Sequence, residues 1–150
     1  HIYLFSDWSN STIFQSILEH VGFLMNPSPI IWAKGRASTA DRGYNYNSSY
    51  EVVLFGHFKE KKTRLTSTQR NILTFSPVHW SKKLHAFEKP QELLLHLIEQ
   101  SSIRGQTVLD PFVGSGATLV AARSLGRSGI GFELNPNHYH LAQKRLGAEK

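Results

Sequence analysis

At 150 residues, with 40% hydrophobic and 19% charged side chains, the chain is expected to form one globular domain with a substantial core, not a disordered segment. It has no cysteine, which excludes disulfides and thiolate-bound metals. Its apolar runs are too short to span a bilayer, and nothing in it resembles a signal peptide. The net charge of +6 leans toward a polyanionic partner without deciding for one, since many basic proteins bind no nucleic acid.

Residues 2–5 (IYLF) read as a short buried strand. Ser9 or Asn10 is expected to cap a helix with Ile13, Phe14, Ile17, Leu18 and Val21 on one face, stopped by Gly22. A second strand is expected around Ile30, Ile31 and Trp32, delayed by Pro27 and Pro29. A polar loop follows, with Arg42, Tyr44 and Tyr46 in it, and then a third strand over 51–58. Residues 59–70 are basic and hydroxyl-rich, and the short apolar stretch NILTF comes after them. Pro90 opens a helix in which Leu93, Leu94, Leu97 and Ile98 repeat at helical spacing. The last part reads as strand 107–109, helix 115–125 ended by Gly126, strand 129–133, and a helix capped by Asn135 and closed by Gly147. Strands alternating with helices predict an α/β fold with a mostly parallel sheet and helices on both faces.

The stretch LDPFVGSGATLVAARSLGRSGIGFEL (109–134) carries the chemistry. Here a strand runs straight into a glycine turn and a helix N-terminus. Gly114 and Gly116 permit positive φ and a close backbone approach, and the helix start offers unpaired N–H groups. Glu133, at the end of the next strand, is placed to accept hydrogen bonds from both hydroxyls of a ribose. The dinucleotide pattern G-x-G-x-x-G fails at Leu119, and no Gly-Lys-Ser/Thr occurs. A ribose clamp without a phosphate grip suits a nucleoside cofactor such as S-adenosylmethionine. No metal is expected.

The run LDPFVGSGATLVAARSLGRSGIGFELNPNHYHLAQKRL resembles the cofactor motif of amino-group DNA methyltransferases, which methylate adenine-N6 or cytosine-N4. Upstream, HAFEKPQELLLHLIEQSS (85–102) is similar to their partner motif, a His-x-x-x-Lys-Pro before an amphipathic helix; IIWAKG and YEVVLF resemble other strands of the same domain. This order, with the cofactor motif last, is that of the permuted β class. The resemblance covers residues from about 2 to 146 and implies a Rossmann-like fold formed by a single domain over 1–150, incomplete on its N-terminal side, with a short target-recognition insertion at 59–84. It implies that Asp110, Phe112, Gly114, Ser115, Gly116 and Thr118 line the cofactor, that Glu133 holds its ribose, and that His85 and Lys89 lie near its methionine end. Lys59, Lys61, Lys62 and Arg64 are the expected DNA contacts, through phosphates. Trp32, Lys34 and Glu51 match the family pattern, but no substrate contact is assigned to Trp32.

One part of the family pattern is absent. Amino-group methylation needs acceptors for the amino hydrogens and a ring that stacks on the flipped base. The family carries these in an Asp/Asn/Ser-Pro-Pro-Tyr/Phe motif, which this sequence lacks; NPSPI (26–30) and NPNHY (135–139) are interrupted and misplaced. The chain is therefore expected to be a C-terminal part, starting at His1 without an initiator methionine. Its catalytic strand would lie upstream or come from a second chain, and no residue here is assigned as catalytic. That strand would sit between strands 2–5 and 107–109, which in its absence are expected to pair directly; the alternative is a gap that stays open and is filled by a partner chain, or a fragment of marginal stability.

Three readings stay open at this stage. The first is a site-specific methyltransferase acting on double-stranded DNA with a flipped base, adenine-N6 preferred, in a phage or bacterial restriction-modification setting. It would be cytoplasmic, with no membrane association, and on the nucleoid when bound. The second is a non-catalytic module binding S-adenosylmethionine or DNA, as a remnant or a subunit. The third is a small-molecule or RNA methyltransferase on the same fold.

Overall fold

A computed structural model of the chain describes residues 1–35, 46–60, 64–85 and 87–147. Two units divide the chain, His1–Ser76 and Pro77–Lys150. The first unit holds β1 (Ile2–Ser6), α1 (Trp8–His20), β2 (Phe23–Met25), β3 (Ile30–Ala33), β4 (Tyr50–Phe58) and β5 (Ile72–Thr74). The second holds a 3-10 turn (Trp80–Lys82), α2 (Gln91–Ser101), β6 (Thr107–Asp110), α3 (Ala117–Ser124), β7 (Ser128–Gly131) and α4 (Pro136–Leu146).

In the first unit β4 is the centre of the sheet. One of its edges pairs with β1, the other with β2 toward its C-terminal end and with β3 toward its N-terminal end, all antiparallel. Asn26 N still donates to Phe55 O (2.8 Å), but Pro27 and Pro29 have no N–H to give, so the second edge breaks into two short strands. β5 then adds to β3 in parallel. The predicted parallel sheet is thus a mixed one. Both β1 and β2 run against β4, so they are parallel to each other, as a strand–helix–strand unit requires, but β4 lies between them. The core of this unit is Trp32, Val52, Val53, Leu54 and Leu73, all buried.

Asp7, not Ser9 or Asn10, caps α1. Its carboxylate accepts from Asn10 N (2.8 Å), while the Ser9 hydroxyl (2.7 Å) and the Asn10 amide donate to it from within the first turn. These bonds, the Ser9 hydroxyl first, hold the Asp7 carboxyl below its ordinary range. The expected apolar face of α1 exists, yet Ile13, Ile17 and Val21 are more than half exposed.

In the second unit β6 and β7 pair in parallel, with α3 as the crossover. Leu94 and Ile98 of α2 pack with Ala117, Ala121 and Ala122 of α3, and Leu95, Val108 and Leu125 border them. The alanines let the two helices approach closely. The Arg127 guanidinium ties the start of β7 to the end of α2, donating to Ser102 O (2.6 Å) and Ser102 Oγ (3.1 Å). Asn135 caps α4 by accepting from Asn137 N (2.9 Å), and Gly147 ends it at φ 66°.

The direct pairing expected between strands 2–5 and 107–109 is not among the ladders of the described residues. Among the described residues β1 pairs only with β4, and β6 only with β7. The outer residues of β1 are only half-buried, so water can satisfy the backbone groups of that edge without a ladder.

Candidate cofactor-binding site

The second unit builds the site where β6 ends. The Asp110 carboxylate accepts from Phe112 N (3.0 Å) and turns the chain sharply out of the strand. Val113 N then bonds Phe132 O (3.0 Å), and Gly116 N bonds Val113 O (2.9 Å). Gly114 at φ 53° and Gly116 at φ 81° take the left-handed turn that the sequence predicts for them. Their neighbours differ. A Cβ at Gly114 would sit 3.6 Å from the His85 ring, whereas one at Gly116 would sit 3.2 Å from Ala142 of α4. At Gly114 the contact with the His85 ring is an ordinary one and the positive φ is what favours glycine, whereas Gly116 also serves helix packing.

Glu133 closes the arrangement. One carboxylate oxygen accepts from Gly114 N (2.8 Å) and the other from Asn135 N (2.9 Å). These two amides, Asn135 first, pull its carboxyl below the ordinary range, with His138 and His85 adding a smaller attraction. Each oxygen has a second acceptor site, so the oriented carboxylate can still accept one external donor on each side. That is the demand of a vicinal diol.

His85 lies at the same turn. Phe87 N donates to its Nδ1 (3.2 Å), which leaves Nε2 as the protonated nitrogen of the neutral ring. Its ring meets that of His138 edge to face at 4.4 Å. Phe112 is 81% exposed, an apolar surface beside the turn available to a flat ligand. Thr118 is half-buried in the first turn of α3, and Lys89 is half-buried just before α2. Ser115 is buried, and its hydroxyl is engaged by Arg145 of α4 (3.0 Å).

Sequence reading missed three residues here: Glu88, His138 and Arg145. Glu88 sits inside the predicted partner motif as an unassigned position. His138 and Arg145 meet residues far away in the chain, so no local spacing announces them.

In the first unit Lys59 and Arg64 are exposed, while Lys61 and Lys62 lie outside the described residues, as do Arg42 and Tyr44. Tyr46 is fully exposed. Trp32 is a core aromatic: it is buried, and its ring N–H donates to Phe75 O (2.8 Å). Lys34 pairs with Glu51 (2.9 Å) and lies over the Trp32 ring at 5.4 Å, so the three family-like positions form one structural cluster. Among the described residues no helix is long and apolar enough to cross a membrane.

The sequence matches the family described as DNA methylase over residues 1–144, a range that runs across both units. It is 36% identical over 127 residues to the type II methyltransferase M2.DpnII of Streptococcus pneumoniae, covering 85% of this chain and 44% of that protein. It is 31% identical over 170 residues to the type II methyltransferase M.HpaI of Haemophilus parainfluenzae, covering 99% of this chain and 54% of that protein. The chain thus spans about half the length of these relatives. Among solved structures, the M1.HpyAVI–SAM complex superposes with a TM-score of 0.82 at 27% identity, over 96% of this chain and 72% of that one.

Proposed function

The chain belongs to the DNA methylase family, with its Rossmann-like α/β fold, and on that premise we propose that it holds S-adenosylmethionine for methylation of an exocyclic amino group in DNA. The observation that carries this reading is the Glu133 carboxylate fixed against the Gly114 amide at the end of β7. A carboxylate oriented by two backbone amides needs no rearrangement to receive the two hydroxyls of a ribose. Gly114 brings its backbone toward the His85 ring with no Cβ between them, and Phe112 offers a surface for the adenine or the sugar. His85 and Lys89 face the methionine end. When bound, S-adenosylmethionine supplies a methyl group on a sulfonium, which is electrophilic enough for an amino nitrogen to attack. The similarity to a protein solved in complex with SAM supports the same choice.

The partner is double-stranded DNA with its target base turned out of the stack. Adenine-N6 is preferred over cytosine-N4. Lys59 and Arg64, with Lys61 and Lys62 between them in sequence, contact phosphates, and the net charge of +6 favours such a partner. The segment 59–84 acts as a short target-recognition insertion in a single methyltransferase domain. The amino-group acceptors and the stacking ring belong to an Asp/Asn-Pro-Pro-Tyr motif outside these residues, carried upstream or by a second chain. Work on DNA places the protein in the cytoplasm, on the nucleoid when bound. The absent motif also supports a second reading, a module that binds cofactor or DNA without turnover; adding the upstream motif restores transfer in the first reading and not in the second.

Equilibrium dialysis with radiolabelled S-adenosylmethionine tests the ligand class. S-adenosylhomocysteine should displace the label and ATP should not, because the turn has a ribose acceptor and the sequence has no Gly-Lys-Ser/Thr phosphate loop. Displacement by ATP at equal concentration, or no retention of label at all, would refute the assignment.

A further inference from the structure

One face of α4 touches the cofactor turn at three successive levels. His138 meets the His85 ring, Ala142 packs at the position where Gly116 would carry a Cβ, and Arg145 reaches Ser115. These residues are spaced i, i+4, i+7, which is one stripe of a helix. The third level also carries an ion pair. Arg145 Nη1 donates to Glu88 Oε1 at 2.6 Å and to Ser115 Oγ at 3.0 Å, and it lies 3.5 Å from Ser115 O. The Glu88 side chain is 4% exposed, and its other oxygen accepts from Leu84 N at 2.8 Å.

Burying a carboxylate this deeply is expensive, and an isolated buried ion pair adds little net stability. What such a pair supplies is a fixed geometry, since each donor and acceptor has one orientation that satisfies it. Here it joins three segments of distant sequence: the His85–Pro90 turn, the Gly114–Gly116 turn and the last turn of α4. We infer that Glu88 and Arg145 are positioning residues that lock the Gly114–Ser115–Gly116 turn in its ligand-ready form, so that the Gly114 amide stays on Glu133. The inference rests on the cofactor reading of that turn, and it assigns neither residue a contact with the ligand.

The test uses the whole chain and the double variant Glu88→Met/Arg145→Met, which removes the pair without leaving a lone buried charge. A second variant, Arg145→Lys, keeps the charge but replaces the guanidinium, whose Nη1 reaches both Glu88 and Ser115, with a shorter side chain ending in a point-like ammonium. Hydrogen exchange at the Gly114 and Gly116 amides is measured on the free protein, with thermal unfolding alongside, followed by affinity for S-adenosylmethionine. The double variant should melt near the wild type, exchange at those two amides about tenfold faster, and bind about tenfold more weakly. Arg145→Lys should fall between the two. A double variant with wild-type exchange at both amides overturns the inference, as does one in which all amides loosen equally. If the wild type itself fails to bind S-adenosylmethionine, the cofactor reading fails, while the exchange measurement still decides whether the pair positions the turn.

Discussion

At the scale of single residues, Glu133 is the side chain on which most depends, and its electrostatics make a signed prediction. Its two amide bonds lower the carboxyl from its ordinary value, so the folded state favours the ionised form. The resulting stability is fully present at neutral pH and disappears as the pH falls through the lowered folded value. In Glu133→Gln, the side-chain NH2 would face one of the two amide donors, and the group no longer titrates. The melting-temperature gap between wild type and variant should therefore be constant at neutral pH and shrink in acid. A gap that widens on acidification contradicts this assignment of cause. Glu133 was legible in the sequence because an acid at the end of the strand after a glycine turn has few other uses. The Glu88–Arg145 pair was not, because 57 residues separate its members and only the fold brings them together.

At the scale of elements, the segment from β6 through α3 to β7 follows from local rules. Glycines mark both ends of the crossover helix, and the apolar period changes where the chain passes from strand to helix. The order within the first sheet does not follow from such rules. The continuous apolar run over 52–55 identifies β4 as a strand but carries no direction, and nothing near it announces that it will slot between β1 and β2. The start of α1 differs from expectation for a related reason: Ser9 and Asn10 are good caps by type, but Asp7 precedes both and accepts hydrogen bonds from them. Replacing Asp7 with Ala should accordingly lower stability in chemical denaturation, as the loss of an N-cap does. Loss from Asn10→Ala equal to or larger than this would return the cap to the position first expected.

At the scale of the whole molecule, the residues divide into a unit with the glycine turn and a unit with exposed basic residues, and the family match covers both. No Pro-Pro-aromatic motif occurs in the sequence, and on the proposed reading that motif supplies the acceptors for the amino group that receives the methyl. Incubated alone with DNA and labelled S-adenosylmethionine, the chain should transfer no methyl. Transfer that scales with protein and vanishes in a cofactor-site variant would mean that another group does this work. The central claim is narrower and more direct: the turn after β6 holds the cofactor, and Glu133 holds its ribose. Calorimetric titration of wild type and Glu133→Ala with S-adenosylmethionine tests it. The account predicts a loss of about 1.5–3 kcal/mol in the variant, the worth of hydrogen bonds to a charged acceptor; equal affinity in the two proteins would contradict it.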